Sequence, residues 1–380
     1  MDFLRLVKFA VERQASDALL KVGGKPVLRI QGELFPVDSP PIREDELTEF
    51  VIRLVGSDMF QRYLEELELD AAVTIEGVAR LRLNLYQERR RLCAAIRLIP
   101  FRIPSPTELH IPKVIRELTM RERGLILITG PAGCGKTTSL ASLTAYRAER
   151  DQCHIIMIED PVEYMVESRR AIVDQREVGS DTTTFSMALR QSLRQDPDMI
   201  IVGEMRDLET IQLAITAAET GHVVLSTLHT IDATKTIDRV IDVFPRYQQK
   251  QIRLQLSANL LAILSQLLIK KKGGGQVLAT EVLINTPAVQ NLVREGKTYL
   301  LRNVLQTRRS EEMHGMNLSL FELVQRGMVD TEEALYRSPD PEELEKMMGL
   351  RGTMYAAITG REEAKPPKET AEKKPASEPS

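Results

Sequence analysis

The segment Gly130-Pro131-Ala132-Gly133-Cys134-Gly135-Lys136-Thr137 matches the pattern G-x-x-x-x-G-K-[ST] at every fixed position. It follows the apolar run Leu125–Ile128 and precedes a helix-like stretch, Thr138–Arg150. A glycine-rich loop between a buried strand and a helix wraps a polyphosphate. Its backbone N–H groups converge on the β-phosphate, Lys136 brings a positive charge to the β- and γ-phosphates, and the Thr137 hydroxyl binds Mg²⁺. Thr138 extends the same cradle into the helix. A chance glycine-rich turn has no need of Lys and Thr in register, so the pattern implies a bound nucleoside triphosphate. The thiol of Cys134 is expected to lie beside the phosphate, open to alkylation and protected by ATP.

At 380 residues the chain suggests two domains with room for a sizeable core. A formal net charge of −3, 4% aromatic residues and no Trp argue against a single-stranded nucleic-acid platform, so no nucleic-acid partner is expected. Cys93, Cys134 and Cys153 lack C-x-x-C spacing and point to neither a zinc site nor a disulfide framework. No run approaches the length of a membrane span, and the first residues do not resemble a signal peptide, which together suggest a cytoplasmic protein.

The chain is expected to be α/β and to divide into four parts. Residues 1–99 mix amphipathic helices such as Leu4–Gln14 with short strands such as Val27–Ile30. The proline-bearing segment 100–112 reads as a linker. Residues 113–360 alternate apolar runs with helical patterns, the mark of a mainly parallel sheet. The tail 361–380 is rich in Pro, Lys, Glu, Ala and Ser and is expected to be disordered.

Four apolar runs read as buried strands: Leu125–Thr129, Ile155–Ile158, Met199–Val202 and Val223–Leu228. Polar residues follow each at once, and in open α/β sheets ligands collect at the carboxyl ends of strands. Glu204, just after Met199–Val202, fits a carboxylate that orients or polarises the attacking water and assists Mg²⁺. His229 follows Val223–Leu228 and is placed to sense the γ-phosphate. His222 stands at the other end of that strand, with phosphate contact and a structural role equally open. Asp207 is a candidate N-cap for the helix carrying Leu208, Ile211, Ile215 and Ala218 on one face, with Gly221 just past its end. Glu159, Asp160 and Glu163 cluster after another strand. They imply a divalent cation, with Glu163 as a candidate ligand and catalytic residue, or else a charged turn built on Pro161.

In the N-terminal part Ala79–Leu85 alternates strictly, which puts Arg80, Arg82 and Asn84 on one face of a strand and leucines on the other. That face is either a solvated surface or, with Arg97, a set of arginines that reaches a nucleotide on the other domain of the same or a neighbouring subunit.

Together these residues resemble the secretion ATPase superfamily, and within it the PilT-type retraction ATPases of type IV pili, from about Ala15 to about Leu335. The superfamily marks are the phosphate loop, the Asp box Ile158–Glu163, the Walker B segment Asp196–Asp207, and the His box from Thr220 to Thr230. Narrower PilT-type marks are Asp174-Gln175-Arg176-Glu177-Val178, Lys235–Pro245, and Ala288–Glu295, the last similar to a motif the family needs for retraction but not for hydrolysis. Departures are Ala15-Ser16-Asp17-Ala18-Leu19-Leu20, which lacks the family's histidine, Gln290 in place of Arg, and Cys134 in place of Ser or Thr. The zinc module usual in extension and type II secretion relatives is excluded by three scattered cysteines. The resemblance implies a PAS-like N-terminal domain, a RecA-like P-loop domain, and a homohexamer using ATP and Mg²⁺. Nucleotide sites would be completed by N-terminal-domain arginines, with hydrolysis changing the angle between domains. The ring would act at the cytoplasmic face of the inner membrane on a pilus platform protein. An accessory retraction ATPase that depends on a partner motor, a RecA-type translocase and a non-catalytic scaffold are the competing expectations.

Overall fold

The computed structural model describes residues 2–13, 15–30, 32–99, 101–307 and 312–350. The tail expected to be disordered, 361–380, lies outside the described residues. Strict alternation in the first hundred residues resolves into an antiparallel sheet of β1 (Ala15–Lys21), β2 (Val27–Ile30), β3 (Glu33–Pro36), β4 (Leu69–Ile75), β5 (Ala79–Glu88) and β6 (Arg91–Ile99). Their order is β3-β2-β1-β6-β5-β4. Leu81, Leu83 and Leu85 of β5 are fully buried beneath the helices Phe3–Glu12, Glu44–Val55 and Ser57–Glu66. The intervening Arg80, Arg82 and Asn84 therefore face the other way, as a period of two requires. On that polar face Arg82 stands opposite Arg97, Arg97 opposite Asp17, and Asp17 opposite Arg29. One carboxylate thus sits in a row with three guanidinium groups.

The second sheet contains β7 (Gly124–Thr129), β8 (His154–Glu159), β9 (Ile172–Glu177), β10 (Met199–Val202), β11 (Val223–Leu228), β12 (Leu260–Lys270) and β13 (Gln276–Ile284), in the order β13-β12-β7-β11-β10-β8-β9. Every neighbouring pair is parallel except the β12–β13 hairpin at one edge. Every residue of β7, β10 and β11 is buried. This is why these strands read as largely apolar runs rather than as alternating ones, with Ser226 and Thr227 as buried polar exceptions within β11. Ile126 and Ile128 pack with Leu140 and Leu143 of the helix Lys136–Ala148. Leu125 and Leu127 face the opposite layer, where the helix Leu208–Glu219 contributes Ile211, Ala214 and Ile215. Burying a side chain of this size contributes about 1.5–3 kcal/mol, so the strand that feeds the phosphate loop is held from both faces. The hairpin runs on past the rest of the sheet, where Ile269 and Val277 are covered by the helices Met316–Gln325, Thr331–Arg337 and Pro341–Met348.

The helix capped by Asp207 runs Leu208–Glu219, with the Asp207 carboxylate accepting from Thr210 N at 2.8 Å. The proline-bearing segment differs from a free linker. Ser142 Oγ donates to Pro104 O at 2.6 Å, Ile111 N donates to Pro106 O at 2.8 Å, and Ile111 is buried. Residues 104–112 are thus fastened to the second sheet's helical layer. Among the described residues no helix is long and apolar enough to cross a membrane.

Glu281 on β13 is buried and accepts from Ala233 N at 2.9 Å, at the start of the helix Ala233–Asp242. Burial pushes its carboxyl up to about 7. A folded-state value above the unfolded one stabilises most at acidic pH, and that contribution disappears as pH rises from about 4.5 through about 7. Glu281→Gln keeps a carbonyl acceptor for Ala233 and removes the titration. The variant is expected to show a shallower fall in Tm over this window than the unmutated protein, measured by calorimetry at pH 5, 6, 7 and 8. Parallel pH profiles would overturn the assignment.

Candidate active site

Because β7, β11, β10 and β8 are adjacent and parallel, they end at the same edge of the sheet. The phosphate loop, His229, Glu204 and the Asp box follow these four ends in that order. The helix after the loop begins at Lys136, two residues before the apolar pattern suggests. Its N-terminus directs free backbone N–H groups and the positive end of its dipole into the loop. Gly130 turns the chain out of β7 at φ +146°. A Cβ there would lie 2.4 Å from Gln266 O and 2.6 Å from Cys134 Sγ, so neither the conformation nor the space admits a side chain.

Lys136 is only 8% exposed, and burial holds its ammonium below the usual lysine range. Its Nζ donates to Gly130 O at 2.8 Å and Pro131 O at 3.0 Å, and lies 3.3 Å from His229 Nδ1. An ammonium only donates, so Nδ1 accepts and the imidazole proton sits on Nε2. That nitrogen is 3.1 Å from Glu204 Oε1, while Arg206 Nη2 is 2.8 Å from Glu204 Oε2. The arrangement is a continuous chain, Lys136 to His229 to Glu204 to Arg206. It holds a carboxylate at the mouth of the phosphate loop, with one histidine touching both the lysine and the acid.

The Asp box joins the loop through Tyr164, whose Oη is 3.2 Å from Thr138 Oγ1. Glu163 is half-buried beside it. Glu159 at the end of β8 is buried, which pushes its carboxyl up to about 7, while a hydrogen bond from Gln175 Nε2 at 3.0 Å opposes the shift. As for the expected Mg²⁺, Thr137 stands at the helix start, and among the described residues its hydroxyl has no protein partner. No three His, Cys, Asp or Glu side chains of the described residues cluster tightly enough to hold an ion alone. A hydroxyl with one or two carboxylates suits Mg²⁺, which otherwise binds substrate phosphates and water.

Within one chain, His222 and the N-terminal arginines lie apart from the cradle of the phosphate loop. His222 lies at the opposite end of β11 from His229, and its Nδ1 is 2.9 Å from Ala217 O. A six-residue strand separates it from the loop of its own chain by about 20 Å, at roughly 3.3 Å per residue. The N-terminal arginines do not reach that loop either. Arg80 is engaged with Val162 O and Glu177, and Arg97 Nε with Asp17 Oδ1 at 3.1 Å. Arg82 shares the row of Arg97, and among the described residues it has no ion-pair partner. Finally, Cys134 is buried against Gly130, and burial raises its thiol rather than activating it. Gln175 and Glu177 stood in the sequence only as part of a family mark with no role given, and Tyr164 was not singled out. A period of two in Asp174-Gln175-Arg176-Glu177 was the available signal, because it puts Gln175 and Glu177 on one face.

A phosphate loop at the carboxyl edge of a parallel sheet, with a histidine-bridged glutamate on the neighbouring strands, defines a RecA-like P-loop ATPase. The family described as Type II/IV secretion system protein matches residues 107–297. Similar proteins include the "Type IV pilus retractation ATPase PilT" of Pseudomonas aeruginosa, 42% identical over 342 residues, spanning 90% of this chain and 99% of that one. The "Twitching motility protein" of Neisseria gonorrhoeae is 40% identical over 320 residues, 84% of this chain and 86% of that one. The crystal structure of the pilus retraction motor PilT with bound ADP aligns at a TM-score of 0.84 and 42% identity, over 91% of this chain and 100% of that chain. This chain belongs to the type II/IV secretion ATPase family, as a PilT-type member.

Two outcomes follow for the loop. Gly130→Ala forces a β-carbon onto the backbone of β12 and is expected to destabilise the fold by about 2 kcal/mol or more and to abolish nucleotide binding. Denaturant titration and fluorescent-ADP binding check both. On brief maleimide treatment of native protein, peptide mass spectrometry should find label on the half-buried Cys153 well before Cys134, and both labelled after unfolding. Early labelling of native Cys134 would show that the loop opens.

Proposed function

We propose that this protein is a Mg²⁺-dependent, hexameric motor that hydrolyses ATP to retract type IV pili, acting from the cytoplasmic face of the inner membrane on a platform protein. The observation that carries the hydrolytic part is His229 held between Lys136 and Glu204 at neighbouring strand ends. The likeness to PilT over nearly the whole length of both chains supports the retraction part.

In this reading the loop N–H groups and Lys136 bind the β- and γ-phosphates. Arriving phosphate oxygens replace the carbonyls of Gly130 and Pro131 as acceptors for the ammonium, so the lysine is oriented before substrate enters. His229, bonded to the same lysine, registers a γ-phosphate and transmits its presence to Glu204. The carboxylate of Glu204, fixed by His229 and Arg206, orients the attacking water and accepts its proton. Thr137, with Glu163 and Glu204, would hold Mg²⁺, which supplies neutralising charge to the β- and γ-phosphates. Exposed Arg97, with half-buried Arg82 opposite it, would complete a neighbouring subunit's site in a ring. A partner ATPase is accommodated as an additional component.

Glu204→Gln keeps the shape of the side chain and removes its basicity. It is expected to lower kcat at least a hundredfold, the lower end of what a positioned base contributes, with ADP affinity changed less than threefold. Chelation of divalent cations should stop hydrolysis by the unmutated protein. In a strain lacking the gene, the unmutated protein should restore retraction and the Glu204→Gln variant should not. Retraction at the normal rate with Glu204→Gln would overturn the motor reading, and DNA-stimulated hydrolysis would favour a translocase.

A further inference from the structure

Two side chains of β9 grip the Asp-box loop, and a third reaches the same point from the other domain. Gln175 Nε2 donates to Glu159 Oε1 at 3.0 Å and to Tyr164 O at 2.8 Å, and its Oε1 accepts from Val166 N at 2.8 Å. Two residues on, Glu177 Oε2 accepts from Val162 N at 3.0 Å. The same oxygen accepts from Arg80 Nη2 at 3.2 Å, and Arg80 Nε donates to Val162 O at 2.8 Å. Both backbone polar groups of Val162 are therefore taken, one by Glu177 and the other by Arg80. Val162 immediately precedes Glu163, and two residues on Tyr164 touches Thr138 in the helix after the phosphate loop.

Arg80 belongs to β5 of the N-terminal sheet, whereas Glu177 and Val162 belong to the second domain. The pair is shielded, with side-chain exposures of 14% for Arg80 and 18% for Glu177. A charge-assisted pair in such surroundings is stronger and more directional than an exposed one. A guanidinium that donates to a carboxylate and to a carbonyl of the same loop fixes both position and orientation. Arg97, on the same sheet face, pairs within its own sheet and is 59% exposed. The two arginines therefore occupy different environments.

We propose that Arg80 and Glu177 form an interdomain clamp within one chain that sets the Asp-box loop, so that Arg80 is a positioning residue for Glu163 rather than a ligand of the nucleotide. The orientation of the N-terminal domain is then read at the hydrolytic site through a short path, from Arg80 to Val162, Glu163 and Tyr164, and on to Thr138. The consequence for catalysis rests on the hydrolytic reading above; the clamp itself does not.

The test compares Arg80→Glu, Glu177→Arg, the double exchange, and the milder Arg80→Lys and Glu177→Gln. Each reversed charge should lower kcat about tenfold or more while KM and fluorescent-ADP affinity move less than threefold. The double exchange restores the ion pair but not the bonds to Val162, whose N–H then meets a donor and whose carbonyl an acceptor. In the double exchange kcat should therefore recover in part and exceed the product of the single effects by about threefold or more, the signature of a direct pair. Hydrogen exchange supplies a readout independent of turnover. The peptide over 160–166 should lose protection about tenfold in Arg80→Lys and Glu177→Gln, while the peptide over 130–137 is unchanged. If the double exchange is no better than the product of the singles, or if Arg80 variants weaken ADP binding in parallel with kcat, the clamp is wrong. Unaltered exchange over 160–166 overturns it as well. Should the unmutated protein fail to hydrolyse ATP, the hydrolytic reading falls, and the exchange experiment still decides the clamp.

Discussion

The architecture depends on one buried ammonium. Lys136 is taken out of water by the packing around β7 and the helix it starts, and desolvation of an ammonium is costly unless every proton finds an acceptor. Two carbonyls of its own loop and one histidine provide them. That histidine comes from β11, so the neighbouring strand must end level with the loop. Its second nitrogen then draws in Glu204 from β10. The parallel order of β7, β11 and β10 is what lets one charge organise residues scattered over nearly a hundred positions. Each strand's burial on both faces keeps their ends aligned.

Much of this was legible in the sequence because it rests on backbone periodicity and short motifs. The strands Met199–Val202 and Val223–Leu228 occupy the bounds that their apolar runs suggest, and Leu81, Leu83 and Leu85 point inward as strict alternation requires. A mixed α/β chain with a mainly parallel second sheet follows from those patterns. The helix after the phosphate loop starts earlier than its pattern because Lys136 and Thr137 are polar. They are helical because the loop's glycines place them there, not because they join an apolar face.

What was illegible is contact between residues far apart in sequence. Nothing in Arg80 as a letter distinguishes it from Arg82. Only the placement of the domains makes one a partner of Glu177, 97 positions away, and leaves the other half-buried opposite Arg97. The thiol of Cys134 misled in the same way, since its position beside the phosphate is a matter of sequence but its burial against Gly130 is a matter of how the loop folds back on β12. His222 and His229 bracket one strand, and sequence alone left phosphate contact and a structural role equally open for His222. Six extended residues instead put them on opposite edges of the sheet.

The strapping of residues 104–112 to the helix Lys136–Ala148 has a mechanical consequence. Any reorientation of the N-terminal sheet would have to release the bonds of Arg80 to Glu177 and Val162, and the covalent connection from the end of β6 to Pro104 is only a few residues long. A joint that short allows swing and twist but almost no stretch. With those bonds released, the sheet would turn as one body about the end of β6. The exposed side chains of Leu34 and Phe35 on the outermost strand β3, three strands away from β6, would then travel farther than residues beside it.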